Sequence, residues 1–589
     1  MPVENIITEN LDIWTSAIKT KSPSGRGSSK KLELYGINKL RELILDLAFK
    51  GKLVPQDCND EPADILLASI DEEKQRLILD KKIRKPKALP DLQAINKPFE
   101  MPEGWSWTFL GRVCKKLTDG SHNPPSDSGS GYPMLSSQNV NFGRIDFANP
   151  SRFVNEENFQ KEHLRTQAKP NDVLLNIVAS IGRSAVVPEN APKFVLQRSV
   201  AVLDSQLDSH FLSWQLVSPL CLDYYDKNAK GTAQKGIYLG KLGEMLIVVP
   251  PIKEQVRITQ KIDELMGLCD QLESQTEASI KAHQTLLKSL LETLTNAKDA
   301  DELNESWQRI SEHFDVLFTT EDSIDQLKQT ILQLAVMGKL VKQDLNDEPA
   351  SRLLERIDAE KEQLIKDKKI KKQKPLPPIS DEEKPFDLPD GWKWVKFDHI
   401  AKNEKNALKA GPFGSALKKS FYVEDGYKIY GQEQVISGDE NIGDYYINQE
   451  KFESLISCKV QPGDMLISLV GTIGKVLILS QEAKQGIINP RLVKLSLHDD
   501  VSREYIRIVL GSRLIQEELF DKSHGSTMNV LNLGLLRQLV FPLPKVIEQK
   551  RIVTRVHELL ALCDNLKCKF QAQQKVKVNI SHAFVKQVK

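Results

Sequence analysis

The chain has 589 residues, which at about 100–200 residues per domain gives roughly three or four domains. Hydrophobic residues make up 40% and charged residues 27%, as in ordinary globular proteins, and the formal net charge of +1 excludes a uniformly basic nucleic-acid binder, so that any attraction to a nucleic acid would have to come from local patches. Seven cysteines without a CxxC or zinc-type spacing, no basic-then-apolar N-terminus and no run of 18 apolar residues argue against a disulfide framework, a zinc site, a signal peptide and a membrane span; a cytoplasmic protein is expected.

Residues 1–36 read as a leader with a flexible linker at Ser22–Ser29, and no second copy of it is evident. From Ile37 onward the chain repeats itself. Ile37–Ile83 aligns without gaps on Ile324–Ile370 at an offset of 287, with 29 of 47 positions identical. This makes 37–103 and 324–390 two copies of one helical repeat. Helices are expected over 37–50 and 62–85. Leu40, Leu43, Ile44 and Leu47 form an apolar stripe, and Gly51 stops the first helix. Asp60 or Glu61 should precede the second helix, with Pro62 in its first turn. That helix is expected to end in a basic run, Lys81, Lys82, Arg84, Lys85 and Lys87, matched by Lys366, Lys368, Lys369, Lys371, Lys372 and Lys374. Such a run suits a helix C-terminus and equally suits phosphate contact. Proline-rich linkers, Pro86–Pro102 and Pro375–Pro378, lead onward.

Residues 104–250 and 391–544 are unlike inserts of mixed α/β pattern. Each begins on paired tryptophans, Trp105/Trp107 and Trp392/Trp394, read as core anchors. Buried strands are expected at Val173–Val178 and Met465–Val470, followed by the turns Ser180–Arg183 and Thr472–Lys475. Each turn combines glycine, hydroxyl and cation, as phosphate contact requires, and also suits an ordinary turn between core strands. Loops rich in Asn, Gln and cations supply candidate base and phosphate contacts. They are Ser121, His122, Asn123, Gln138, Asn139, Arg183 and Lys235 in the first insert, and Gln432, Gln434, Lys475, Arg491, His524, Thr527 and Asn529 in the second.

Residues 251–297 and 545–589 read as long helices, the first joined to the next repeat through a connector, 298–323. Ile252–Asn296 follows two prolines and carries apolar residues at a 4-3 spacing: Ile258, Ile262, Leu265, Cys269, Leu272, then a polar middle at Thr276, Ser279 and His283, then Leu286 and Leu290. The second seam is Ile552, Val556, Leu559, Cys563, Leu566, Phe570, Ile580 and Phe584. Antiparallel packing of the two would make a spacer rod. The alternative is that each helix packs on its own domain.

Catalytic patterns are weak. Asn123–Ser126 half-matches the loop that holds adenine in amino-methyltransferases but lacks the stacking aromatic. Glu72–Lys74 and Glu382–Lys384 contain nuclease-like ExK triplets without a strand scaffold. A stand-alone methyltransferase or nuclease would need a cofactor loop or metal carboxylates. A structural adaptor would show no base preference.

The ordered motifs resemble the specificity (S) subunit of type I restriction-modification enzymes, from about Ile37 onward. They are Pro102–Trp107 and Pro389–Trp394, Asp119–Pro125, Gly411–Leu417, the two glycine turns, and the proline-rich exits into Glu-Gln and a long helix at Pro250–Arg257 and Pro542–Arg551. The duplicated helical segment looks like the subclass called type IB. The resemblance implies a non-catalytic chain with two α/β target-recognition domains, separated by long antiparallel coiled-coil helices in a pseudo-two-fold duplication. Each domain would read half of a split, asymmetric site in double-stranded DNA. Two methyltransferase and two restriction subunits would bind, bringing S-adenosylmethionine, ATP and Mg2+; no cofactor is expected on this chain.

Overall fold

Each copy of the repeat opens on two helices in the computed structural model, which describes residues 5, 8–21, 31–83, 85–231, 234–298, 300–372, 376–469, 474–521 and 533–588. The first helix spans Tyr35–Phe49 in one copy and Glu321–Val336 in the other. Its apolar stripe is fully buried at Leu40, Leu43 and Ile44. Gly51 and Gly338 end it as expected, with φ +68° and +73°. The amide of Lys52 closes on the Leu47 carbonyl at 2.8 Å, and that of Lys339 on the Leu334 carbonyl at 2.9 Å. A β-carbon at either glycine would collide with Pro102 or Pro389, so both the turn and the linker's approach require glycine.

The second helix is shorter than expected, Ala63–Leu79 and Ala350–Lys366. Lys81 and Lys368 turn into the left-handed region, with φ 56° and 59°. The next amides, Lys82 and Lys369, bond back to Leu77 and Leu364 at 2.9 Å. This is the same closure the glycines make, built on lysine, so most of the basic run lies beyond the helix; Arg84 and Lys374 fall outside the described residues. Asp60 and Glu61 do not cap. Pro62 takes the N-cap position, and the Asp60 carboxylate is held by Arg257 at 2.6 Å.

Contacts divide the chain into two compact units, residues 1–279 with 573–589, and residues 280–572. Unit one contains a four-stranded antiparallel sheet in the order Ser184–Val186, Val173–Asn176, Val200–Ser205, Cys114–Asp119. Beside it runs Val195–Leu196, Tyr132–Leu135, Arg152–Val154, with the first pair parallel. Unit two repeats the first sheet as Val476–Ile478, Met465–Ser468, Leu492–Leu495, Leu408–Ala410. It repeats the second as Gly486–Ile488, Tyr427–Tyr430, Tyr446–Ile447, and adds Tyr422–Val423. In each unit the entering strand pairs antiparallel with the exiting one: Ser106–Phe109 with Leu246–Val249, and Lys393–Lys396 with Val540–Leu543. The fold is mixed α/β and internally duplicated. The two buried strands end at Asn176 and Ser468, sooner than expected, because the chain there turns into the hairpin.

The long helices span Ile252–Asn296 and Val546–Val588. Ile258, Ile262, Leu265, Ile552 and Val556 are buried as expected, and Leu272, Leu290, Leu559 and Leu566 are half-buried. Leu286 is 54% exposed and Ile580 45% exposed, and both leave the seam. Leu287, Leu291 and Leu294 are buried in place of the first, and Ser581 and Val585 in place of the second. Past Thr276 the spacing becomes 4-4-3. A straight helix drifts from a strict seven-residue repeat by about 20° per heptad, and this longer period follows the drift. Leu287, Leu291 and Leu294 join the core of unit two, which also holds Ile552, Val556 and Cys563. The leader is anchored too. Trp14 is fully buried and meets Phe584 edge-on at 5.6 Å, and the Ile18 amide donates to Gln574 at 3.3 Å. Connector residues Ile310 and Leu317 join the core of unit two that also holds Leu291.

One buried polar clamp ties frame, domain and helix in both units. Glu254 and Glu548 are 1% and 0% exposed. The Trp105 and Trp392 indoles each donate to them at 3.0 Å, and the Gln56 and Gln343 amides donate at 3.3 and 2.6 Å. Next to them, Gln255 and Gln549 accept from the amides of Asp208 and Ser502 at 2.9 Å and donate to the carbonyls of Pro250 and Pro544. Arg551 pairs with Asp347 as Arg257 does with Asp60, and Lys328 with Asp564 as Arg41 does with Asp270.

Burial raises the Glu254 and Glu548 carboxyls above their ordinary 4.5, against the opposing pull of the indole and amide donors. The fold therefore favours the neutral carboxyl. Its contribution to stability is fully present below pH 4.5 and is lost as pH rises through the raised value. The double variant Glu254→Gln/Glu548→Gln should lack this fall. Urea midpoints measured from pH 4 to 8 test it, and an unchanged slope would place the pH dependence in other groups.

Candidate nucleic-acid interface

Backbone hydrogen bonds gather five loops at one end of the sheets in unit one. Leaving Cys114–Asp119, the Gly120 amide donates to Val200 and that of Ser121 to Leu196, while Arg198 donates to the Ser121 carbonyl at 2.9 Å. The Ser137 amide reaches the Ser199 hydroxyl at 3.0 Å, and Ile177 donates to the Ser199 carbonyl at 2.9 Å. Ala179 then donates to the Lys235 carbonyl at 2.9 Å. Ser121, Gln138, Lys235 and the Ser180–Arg183 turn thus belong to one loop cluster. A β-carbon on Gly120 would strike the Leu196 carbonyl, so this close approach demands glycine.

The candidates differ in what they expose. His122 is exposed and its Nε2 lies 2.9 Å from Asp119, whose other oxygen accepts from Arg165 at 2.7 Å. The acidic charge at the loop is thereby balanced, which a phosphate-facing surface requires. Asn123, Gln138 and Lys235 are exposed. Arg183 is half-buried, donates to Asn141 at 3.0 Å and lies over the Phe142 ring at 5.8 Å. Ser121 is only 4% exposed. Asn139 is buried: it accepts from the Ser136 amide at 3.0 Å and donates to the Asn149 carbonyl at 2.7 Å. It shapes the loop and has no free edge for a base.

Unit two shows the same logic. Gln434 is fully buried, accepts from the Gly431 amide at 2.7 Å and donates to the Ile442 carbonyl at 2.7 Å. It does for this loop what Asn139 does for the other, and burial withdraws it as a base contact as well. Gln432 donates to Ser468 at 2.8 Å and accepts from Arg491 at 3.4 Å. The Arg491 carbonyl accepts from Leu469, and the Lys475 carbonyl from Ser468, both at 2.9 Å. Arg491 and Lys475 keep exposed side chains. His524, Thr527 and Asn529 lie outside the described residues, as do Val470–Ile473.

Sequence reasoning missed Arg198, which stands exposed in the middle of the first cluster, and Arg165 on the helix Glu156–Thr166. Arg198 had a readable signal, a polar triplet Gln197–Ser199 between two buried strands. The weak catalytic patterns are occupied by packing. The Pro125 carbonyl accepts from Arg152 at 2.6 Å, and Glu73 pairs with Lys115 at 3.0 Å. Lys74 donates to the Gly111 and Arg112 carbonyls, and Lys384 pairs with Asp381 at 2.7 Å. Among the described residues no helix is long and apolar enough to cross a membrane.

Comparison with known proteins places this architecture. The family model described as type I restriction modification DNA specificity domain matches residues 102–282 and 389–575. The specificity subunit of the type I restriction enzyme EcoAI of Escherichia coli is 38% identical over 603 residues, covering 99% of both chains. That of EcoEI, also from Escherichia coli, is 37% identical over 612 residues, again covering 99% of both. A chain solved in work on assembly and conformational transition of a type I restriction-modification system covers 83% of this chain and 99% of its own, at 16% identity and a TM-score of 0.45. With the family model on both inserts and relatives matched along nearly the whole length, the chain belongs to the type I restriction-modification DNA specificity family.

Proposed function

We propose that this chain is the DNA sequence-specificity subunit of a type I restriction-modification complex. Each loop cluster reads one half of a split, asymmetric site in double-stranded DNA. The observation that carries this reading is a frame repeated down to its buried clamp, Glu254 with Trp105 and Glu548 with Trp392, that carries two unlike loop surfaces. Equal frames suit two equivalent docking surfaces, here assigned to two methyltransferase subunits. Two restriction subunits complete the assembly. The chain itself binds no cofactor; S-adenosylmethionine, ATP and Mg2+ act through the partners, in the cytoplasm. The long helices serve as the spacer between half-sites, about 65 Å each at 1.5 Å per residue.

The decisive test is to co-express the chain with its methyltransferase subunit and map N6-methyladenine genome-wide. A split asymmetric motif that disappears when the chain is omitted is expected; methylation unchanged by its omission would refute the reading. In the same assay, deleting one helical turn within 276–282 should change the gap between half-sites while both halves remain readable. An unchanged gap would show that the helix is not the spacer.

Burial separates reading residues from shaping ones. Arg491→Ala should weaken DNA binding by about 1–3 kcal/mol and leave stability unaltered. Gln434→Ala should lower stability by roughly 1–3 kcal/mol, because it strands a buried amide and a buried carbonyl. Titration of the purified complex with DNA and urea unfolding distinguish the two; equal effects on both readouts would remove the distinction.

A further inference from the structure

The two loop clusters present opposite chemistry at one equivalent position. Gly411 corresponds to Gly120. Its amide donates to Leu492 as that of Gly120 donates to Val200, at 3.0 and 3.2 Å. A β-carbon on Gly411 would strike the Asn489 carbonyl, as one on Gly120 would strike Leu196 and Gln197. Two residues on from each glycine, unit one has His122, tied to Asp119 at 2.9 Å. Unit two has Phe413, whose ring is 88% exposed, the most exposed large hydrophobic among the described residues. Its carbonyl accepts from the Ala416 amide at 3.0 Å, which closes the short turn that follows.

A bare aromatic ring on a pinned loop is available to a partner that takes it out of water. Its neighbours in the chain and across the strand pair indicate which. Gly411 abuts the turn 489–491, where Arg491 is exposed and donates to Gln432. A bare ring on a loop whose first glycine abuts a turn with an exposed guanidinium suits a base step, with the ring against base faces.

We propose that Phe413 is an apolar wedge of the second target domain, entering the duplex and stacking at one base step of its half-site. This rests on the reading of the chain as a specificity subunit. The first domain has His122 in that place.

The test uses the complex with the methyltransferase subunits and duplexes carrying 2-aminopurine at successive positions of the mapped site. Wild type should raise fluorescence at one or two adjacent positions, all in one half-site. Phe413→Ala should abolish that rise and weaken binding by roughly 10- to 100-fold, while Phe413→Trp keeps both. The position is exposed, so both variants should unfold at the wild-type urea midpoint. A Phe413→Ala complex with wild-type affinity and fluorescence on a correctly mapped split site would overturn the wedge alone. Loss of methyltransferase co-purification with base reading intact would reassign the ring to a protein contact and overturn it as well. A wild-type complex that selects no split site would overturn the underlying reading and the wedge with it.

Discussion

A carboxylate with two oxygens can satisfy an indole and an amide together, and the frame is organised around that capacity. Glu254 joins Trp105, where the chain enters its domain, to Gln56, in the loop that leaves the first helix of the repeat. Gln255 adds the start of a domain helix and the turn into the long helix. Three segments distant in sequence thus meet at one dipeptide. An apolar residue in place of Glu254 would leave the buried indole N–H without an acceptor, at about 1–3 kcal/mol. The unit-two clamp has the same partners at every point, although the inserts it closes have diverged.

Within the inserts, constancy and variation are divided by burial. The loop after Tyr132–Leu135 is shaped by Asn139, and the loop after Tyr427–Tyr430 by Gln434. Both amides are inside, and both make the same bond to the start of their loop. The tips differ, with half-buried Ser137 and exposed Gln138 in one and half-buried Gln432 and exposed Glu433 in the other. A surface built this way can change what it recognises without changing how it folds. Divergence also reaches the contacts between repeat and insert. Asp71 holds Arg112 at 2.7 Å, whereas the equivalent Asp358 holds His399 at 2.9 Å.

Much of the frame was legible because repetition makes it visible. Gly51 and Gly338 marked helix ends correctly, and the long helix Ile252–Asn296 was readable from its prolines and apolar spacing. Lys81 and Lys368 were not legible as helix stops, since lysine rarely takes a left-handed backbone and carries no turn signal. The slip from Leu286 to Leu287 was hidden because both are leucine and a seven-residue template accepts either. The candidate site was legible only as composition. Polar type alone does not separate Gln138 from Asn139; that depends on which side chain the loop turns inward. Phe413 stood in the sequence only as part of the Gly411–Leu417 motif, and nothing in residue type shows that its ring is left exposed.

The burial of Trp14 against Phe584 bears on the order in which the protein can form during synthesis. Residues 280–572, an uninterrupted stretch, can complete their core once translated. The unit that begins first cannot, because residues 573–589 belong to it and follow unit two in the chain. The usual sequence of N-terminal domain first is therefore inverted for completion. While unit two is being made Trp14 must wait for Phe584, so the nascent first unit keeps an apolar site open to chaperones.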